Sequence, residues 1–172
     1  MTTDTIKLLA RYNFHTNTLM ARVLSHLADE EWNRVLGGYY PSIRSLCSHV
    51  FIIDFTWLRR FVSLRPFAYA QHPLFQENPT WGGTLFPSFL DYDADRKALD
   101  ECITKFSEEV TPEDLPKRLR YKDFKGIEQE RKFDGLILQM FNHQTHHRGM
   151  ISLYLDMLGK ENDFSNLLAL VD

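Results

Sequence analysis

Two long stretches of this chain repeat apolar residues at helical spacing, and that repeat limits the possible folds more than any other feature. Across residues 4–29, Ile6, Leu9, Met20, Val23, Leu24 and Leu27 recur at the period of a helix. From Asp134 onward, Leu136, Met140, Ile151 and Tyr154 do the same, and Gly159 stands where a helix would end on a left-handed residue. A striped helix has to bury its stripe against another element. Both stretches are too long for strands, so the chain is expected to pack helix on helix.

Two further helices complete the set. Gly37 and Gly38 interrupt the pattern, Pro41 suits a helix's first turn and Ser42 can cap it. The helix that follows is expected to run to about residue 63 with Leu46, Val50, Phe51, Ile53, Phe55, Trp57, Leu58 and Phe61. Asp91 or Asp93 is the expected cap of another, reaching about residue 110 before Pro112 and Pro116. Lys125-Gly126, between two partly alternating runs, suggests a short hairpin before the last helix. The expected fold is therefore all-α: a four-helix bundle formed as one domain over residues 1–172, with no internal repeat. A long connection over residues 64–92 holds four prolines and seven aromatic residues. Its apolar content argues against a loose linker. The expectation is a loop packed across the bundle end, with a lid or a subunit contact as the alternatives.

Charge and cysteine usage remove several function classes. The net charge is −3, and no basic run carries interleaved aromatics, so nucleic acid is not an expected partner. No stretch approaches the roughly 18 uncharged apolar residues of a membrane span. The first residues, MTTDTIKLLARYNF, lack the apolar core of a signal peptide. Cys47 and Cys102 form no disulfide framework, and a cytoplasmic setting is expected.

The chemistry is concentrated in FNHQTHHRGMI, residues 141–151, which holds three of the seven histidines. Positions i and i+4 of a helix lie about 40° apart around the axis. His143 and His147 therefore project from one face, shared with Leu136, Met140, Ile151 and Tyr154. Such a pair can chelate one metal ion, or can be two packed imidazoles bonded to carbonyls or water. His146 lies about 100° from His147 and is read as a rim or supporting residue. His49, on a face with Leu46, Ile53 and Thr56, is the candidate third ligand from another helix. Three imidazoles with an open position are the ligand set of catalytic rather than structural zinc. Cys47 faces away from His49 and is not expected to ligate. His15, His26 and His72 have no partner at metal spacing, and His15 is the one carried as an extra ligand candidate.

This array resembles the DinB/YfiT-like bundles. Their last-helix signature is close to Asn-His-x-x-x-His-Arg-Gly-Gln, and this chain reads Asn142-His143-Gln144-Thr145-His146-His147-Arg148-Gly149-Met150. Met150 stands where glutamine is usual, which leaves the ligand positions intact. The segments LCSHVFIIDFTWL, ARYNFHTNTLM and YKDFKG are similar to the family's second helix, first helix and pre-helix segment. The resemblance spans nearly the whole chain. It implies a four-helix bundle, a divalent ion on His49, His143 and His147, and a homodimer. It does not imply one reaction, although relatives include thiol-transferring enzymes.

Two function classes follow. One is a metal-dependent enzyme, a hydrolase or thiol transferase acting on a small molecule. The other is a bundle that binds metal or a small ligand without turnover. Imidazole accepts several ions, with zinc or nickel expected before iron or manganese. Catalysis would need a proton acceptor, and Asp54 and His146 are nearest in sequence to the ligands. Asp54 lies about 140° off the ligand face, so it is expected at an edge or orienting a ligand ring. Arg148 is expected to be solvated or ion-paired, with contact to an anionic substrate as the alternative. Asn13 and Asn17, four apart, can line a pocket or bond across the bundle.

Overall fold

The computed structural model describes residues 1–76 and 85–171. Among them the chain is mostly helical, with five α-helices, short 3-10 turns and one two-stranded antiparallel sheet. The helices are α1 (Thr3–Leu24), α2 (Asp29–Asn33), α3 (Ile43–Phe61), α4 (Phe89–Glu109) and α5 (Phe133–Met157). The strands are β1 (Arg118–Lys122) and β2 (Glu128–Lys132), paired from Arg118 opposite Lys132 to Lys122 opposite Glu128. No described helix is long and apolar enough to cross a membrane.

Side-chain chemistry sets the helix ends. Ser42 starts α3: its Oγ accepts the Ser45 N–H at 3.1 Å, and the Ser45 Oγ accepts the Ser42 N–H at 2.9 Å. This satisfies two of the amide donors a helix start leaves open. The cap of α4 is Ser88 rather than Asp91 or Asp93. Asp91 instead turns its carboxylate back to the Ser88 N–H at 3.2 Å, closing a reciprocal box. Gly159 has φ +70° and closes α5, with the Gly159 N–H on the Asp156 carbonyl and the Lys160 N–H on the Leu155 carbonyl, both at 2.9 Å.

The first expected helix, over residues 4–29, is shorter than its apolar repeat. It ends at Leu24 because Ser25 Oγ and His26 Nδ1 both take the Arg22 carbonyl, at 2.8 and 2.7 Å. The chain then restarts as α2, where the Glu31 carboxylate accepts the Ala28 N–H at 2.9 Å. This fifth, short helix exists to bury Trp32, which is 1% exposed beside Phe89 and Tyr92.

The four long helices border one another in pairs: α1 and α3 each pack on both α4 and α5. Phe61, the last residue of α3, packs where α4 ends and α5 begins, with its ring centroid 5.1 Å from both Phe106 and Phe133. Truncating such a fully buried ring to alanine costs about 3–5 kcal/mol. The hairpin forms as expected, turning through Gly126 at φ +77° while the Asp123 carboxylate accepts the Lys125 and Ile127 N–H groups at 2.9 and 3.0 Å. It is tied to α3 by Arg60, which donates to the Lys122 carbonyl at 2.7 Å and lies over Trp57, Tyr121 and Phe124.

Of the 64–92 connection, residues 77–84 lie outside the described residues, and Phe89 onward belongs to α4. The rest packs on the helices. The Tyr69 hydroxyl donates to the Leu58 carbonyl at 2.6 Å, and the Phe75 ring stacks on Phe55 at 4.9 Å.

Candidate metal centre

Two helices and one loop build the site. Three residues after Leu46, whose side chain is wholly buried, α3 turns His49 toward α5 at the edge of the core. His143 and His147 follow Met140 up the inward face of α5, one turn apart. The fold brings all three imidazoles together. The ring centroids of His49, His143 and His147 lie 4.3–4.9 Å apart. One ring nitrogen from each falls within 4.8 Å of the others, and His49 Nε2 is 3.0 Å from His143 Nε2.

The cluster has the chemistry of a ligand set. Burial lowers the pKa of His49 to about 4. Burial and the neighbouring imidazoles lower His143 to about 3 and His147 to about 4. All three are neutral at neutral pH, so their lone pairs are free for a cation. Nδ1 of both His143 and His147 is shut from solvent and has no hydrogen-bond partner among the described residues. Three converging neutral imidazoles with unmet ring nitrogens fit a divalent ion.

His146 is exposed, with its ring 4.8 Å from that of His147, and is a rim residue as expected. His15 joins no group of three potential ligands among the described residues, and neither do His26 and His72. Cys47 is fully buried in the core, and burial pushes its thiol up to about 12.

Asp54 does not take an imidazole as its partner. It lies wholly buried and accepts from Arg96 of α4 at 2.7 Å. The five-residue offset from His49 turns it away from the ligands and toward the next helix. Arg96 also donates to Asp100 at 2.7 Å, and Asp100 accepts from Asn13 at 2.8 Å and from Asn17 at 3.0 Å. Arg148 is not solvated, and among the described residues it forms no ion pair. It is 5% exposed, donates to Asn13 Oδ1 at 2.6 Å and to Gln144 and Thr145 at 3.3 Å, and lies over the Tyr12 ring. Asn13 and Asn17 thus bond across the helices. The network joins α1, α3, α4 and α5 and reaches the ligand helix through Arg148, the residue after His147. Burial alone would lower the pKa of Arg96, but Asp100 and Asp54 outweigh it and hold the guanidinium protonated.

One residue at the site carried no sequence signal beyond its place in GGYYP. Tyr40 stacks on His49 with centroids 4.2 Å apart and an interplanar angle of 24°, and meets the His147 ring edge-on at 5.5 Å. Its hydroxyl lies 3.0 Å from Nδ1 and 3.1 Å from Nε2 of His49. An aromatic residue just before a helix reads from sequence as a packing group, and nothing local marks it as a neighbour of the histidines.

With this geometry in place, the comparisons with known proteins identify the family. The family model described as DinB family matches residues 1–170, and the chain belongs to that family. No curated protein matches the chain.

Proposed function

We propose that this member of the DinB family holds one divalent ion on His49, His143 and His147 and acts with it on a small molecule. The observation that carries the reading is the convergence of one ring nitrogen from each histidine within 4.8 Å, from two separate helices. Zinc or nickel suits three neutral imidazoles best, with iron or manganese next. Such an ion supplies Lewis acidity toward a carbonyl, thiol or anionic group brought to its open position, the requirement shared by hydrolysis and thiol transfer. The chain's own part is to hold and orient the rings. Core packing of α3 and α5 fixes the helices, and the Arg148–Asn13–Asp100–Arg96–Asp54 network holds the four long helices in register.

We read the unit as one DinB-like domain over residues 1–172 whose four long helices form the bundle, and as a homodimer in a reducing, cytoplasmic setting. The apolar side chains left on the surface support the dimer. Leu138, Leu153 and Met157 on α5 are each more than half exposed, and Leu168 near the C-terminus is 78% exposed. Light scattering at micromolar concentration tests it, and a monomer mass sinks it.

One observation favours binding without turnover. Asp54 is committed to Arg96, and among the described residues no carboxylate joins the histidine group. A hydrolase or transferase would then draw its proton acceptor from His146 or the substrate. Metal analysis of protein prepared without a nickel column tests the core of the proposal. One equivalent of a divalent metal per chain is expected, and a metal-free protein that also takes up none on addition refutes it.

A further inference from the structure

The loop before α3 is built to hold one ring in place. The Leu36 N–H donates to the Pro41 carbonyl at 2.7 Å, closing residues 36–41 on themselves. Gly37 and Gly38 adopt φ of +101° and +73°, a region that L side chains rarely enter. A Cβ on Gly38 would also meet the Tyr154 hydroxyl at 2.7 Å. That hydroxyl reaches the carbonyls of Gly37 and Tyr40, the latter at 2.7 Å. The loop is thus pinned to the helix that carries His143 and His147, and Tyr40 is what it delivers.

The Tyr40 hydroxyl is not spent on His49. A hydrogen bond to an imidazole nitrogen follows the lone pair in the ring plane. An oxygen 3.0 Å from Nδ1 and 3.1 Å from Nε2 would collide with Cε1 if it lay in that plane. The stacked phenol therefore carries its oxygen over the ring, off both lone pairs, and its proton is available to a third group.

We propose that Tyr40 is a positioning residue of the metal centre: its hydroxyl donates a hydrogen bond to a small anion or thiolate at the position the three histidines leave open. The inference rests on the three-histidine metal reading and adds a residue to it. A neutral phenol suits the task because it donates to an anion without adding charge to the ligand set.

Azide binding to the cobalt(II)-loaded protein, followed by visible spectroscopy, tests it. Tyr40→Phe keeps the stacked ring and should load cobalt with wild-type affinity and an unchanged spectrum before azide is added. Its azide affinity should fall about tenfold to a hundredfold, the loss expected for one hydrogen bond to a charged group. Tyr154→Phe frees the same loop without touching the phenol, and should weaken azide binding while sparing cobalt. Wild-type azide affinity in either variant overturns the proposal. So does a cobalt spectrum altered in Tyr40→Phe before azide, which would make Tyr40 a ligand. If the unmodified protein takes up no cobalt, the metal reading fails and this inference falls with it. Normal loading with unchanged azide affinity in the variants removes Tyr40 alone.

Discussion

The Tyr154 hydroxyl on α5 donates to the Tyr40 carbonyl at 2.7 Å, although 114 residues separate the two in sequence. Tyr154 lies two turns beyond His147 on the same face of α5. One helix therefore supplies two of the three clustered imidazoles and fixes the loop that lays a phenol over the third. The cover and two of the three rings are thus anchored to α5, so a change in the seat of α5 reaches every group at the site.

The two adjacent histidines of α5 should behave oppositely on substitution. His147 is 6% exposed and faces His49 and His143, while His146 is exposed. His147→Ala should lower metal affinity by more than the roughly 10–100-fold that changes outside the ligand set cost. His146→Ala should leave it within a few fold. Metal titration of both proteins checks this, and equal losses would remove the ligand assignment.

How much of this could be read from the chain depends on how local each signal is. The i, i+4 spacing of His143 and His147 is a property of one helix, so their shared face was visible, and the apolar companions of His49 pointed it inward. The ends of helices were less legible. The repeat through Leu27 looked like continued helix, but Ser25 and His26 bond back to Arg22 and stop it at Leu24. Asp91 and Asp93 read as the cap because aspartate is itself a good one, and only the reciprocal bonds show that Ser88 caps α4. Asp54 and Tyr40 were opaque for one reason. Their partners, Arg96 and Tyr154, lie on other helices, and no spacing within α3 or its leading loop encodes them.

The buried network should be intolerant of losing one partner. Arg96 is 3% exposed and bridges Asp54 and Asp100, so Arg96→Met leaves two carboxylates buried without their shared cation. Breaking a buried pair in this way costs about 3–5 kcal/mol. Urea unfolding of the metal-free protein should show the full loss, and Arg96→Met combined with Asp54→Leu and Asp100→Asn should recover part of it. A single-variant loss under about 1 kcal/mol would mean that solvent already reaches the network.

Acid should destabilise the metal-free protein through the same histidines. Their folded-state pKa values, about 4 for His49, 3 for His143 and 4 for His147, lie below the 6.5 of a free imidazole. As pH falls through about 6.5 the unfolded chain takes up protons that the folded chain still refuses. The contribution of these groups is complete above that pH and is lost progressively toward pH 4 to 3. The urea midpoint should drop between about pH 7 and pH 5, and His143→Gln should drop less because it lacks the most strongly depressed ring. A variant that loses as much as the parent protein would place the acid sensitivity elsewhere.

Removing the metal should leave the fold standing. Phe55, Phe61, Phe106 and Phe133 are each 0–1% exposed in a core that does not include the histidines. A chain of 172 residues buries enough surface, roughly 70%, to fold without a metal staple. The ion still adds stability by mass action, about 4 kcal/mol when free metal is a thousandfold above its dissociation constant. Chelation should therefore lower the melting temperature while leaving the far-ultraviolet circular dichroism nearly unchanged and the transition cooperative. A structural ion behaves differently, because there binding free energy is folding free energy and the metal-free chain does not fold. Loss of helicity on chelation would put this centre in that second group. It would also remove the main support for an open coordination position that works on small molecules.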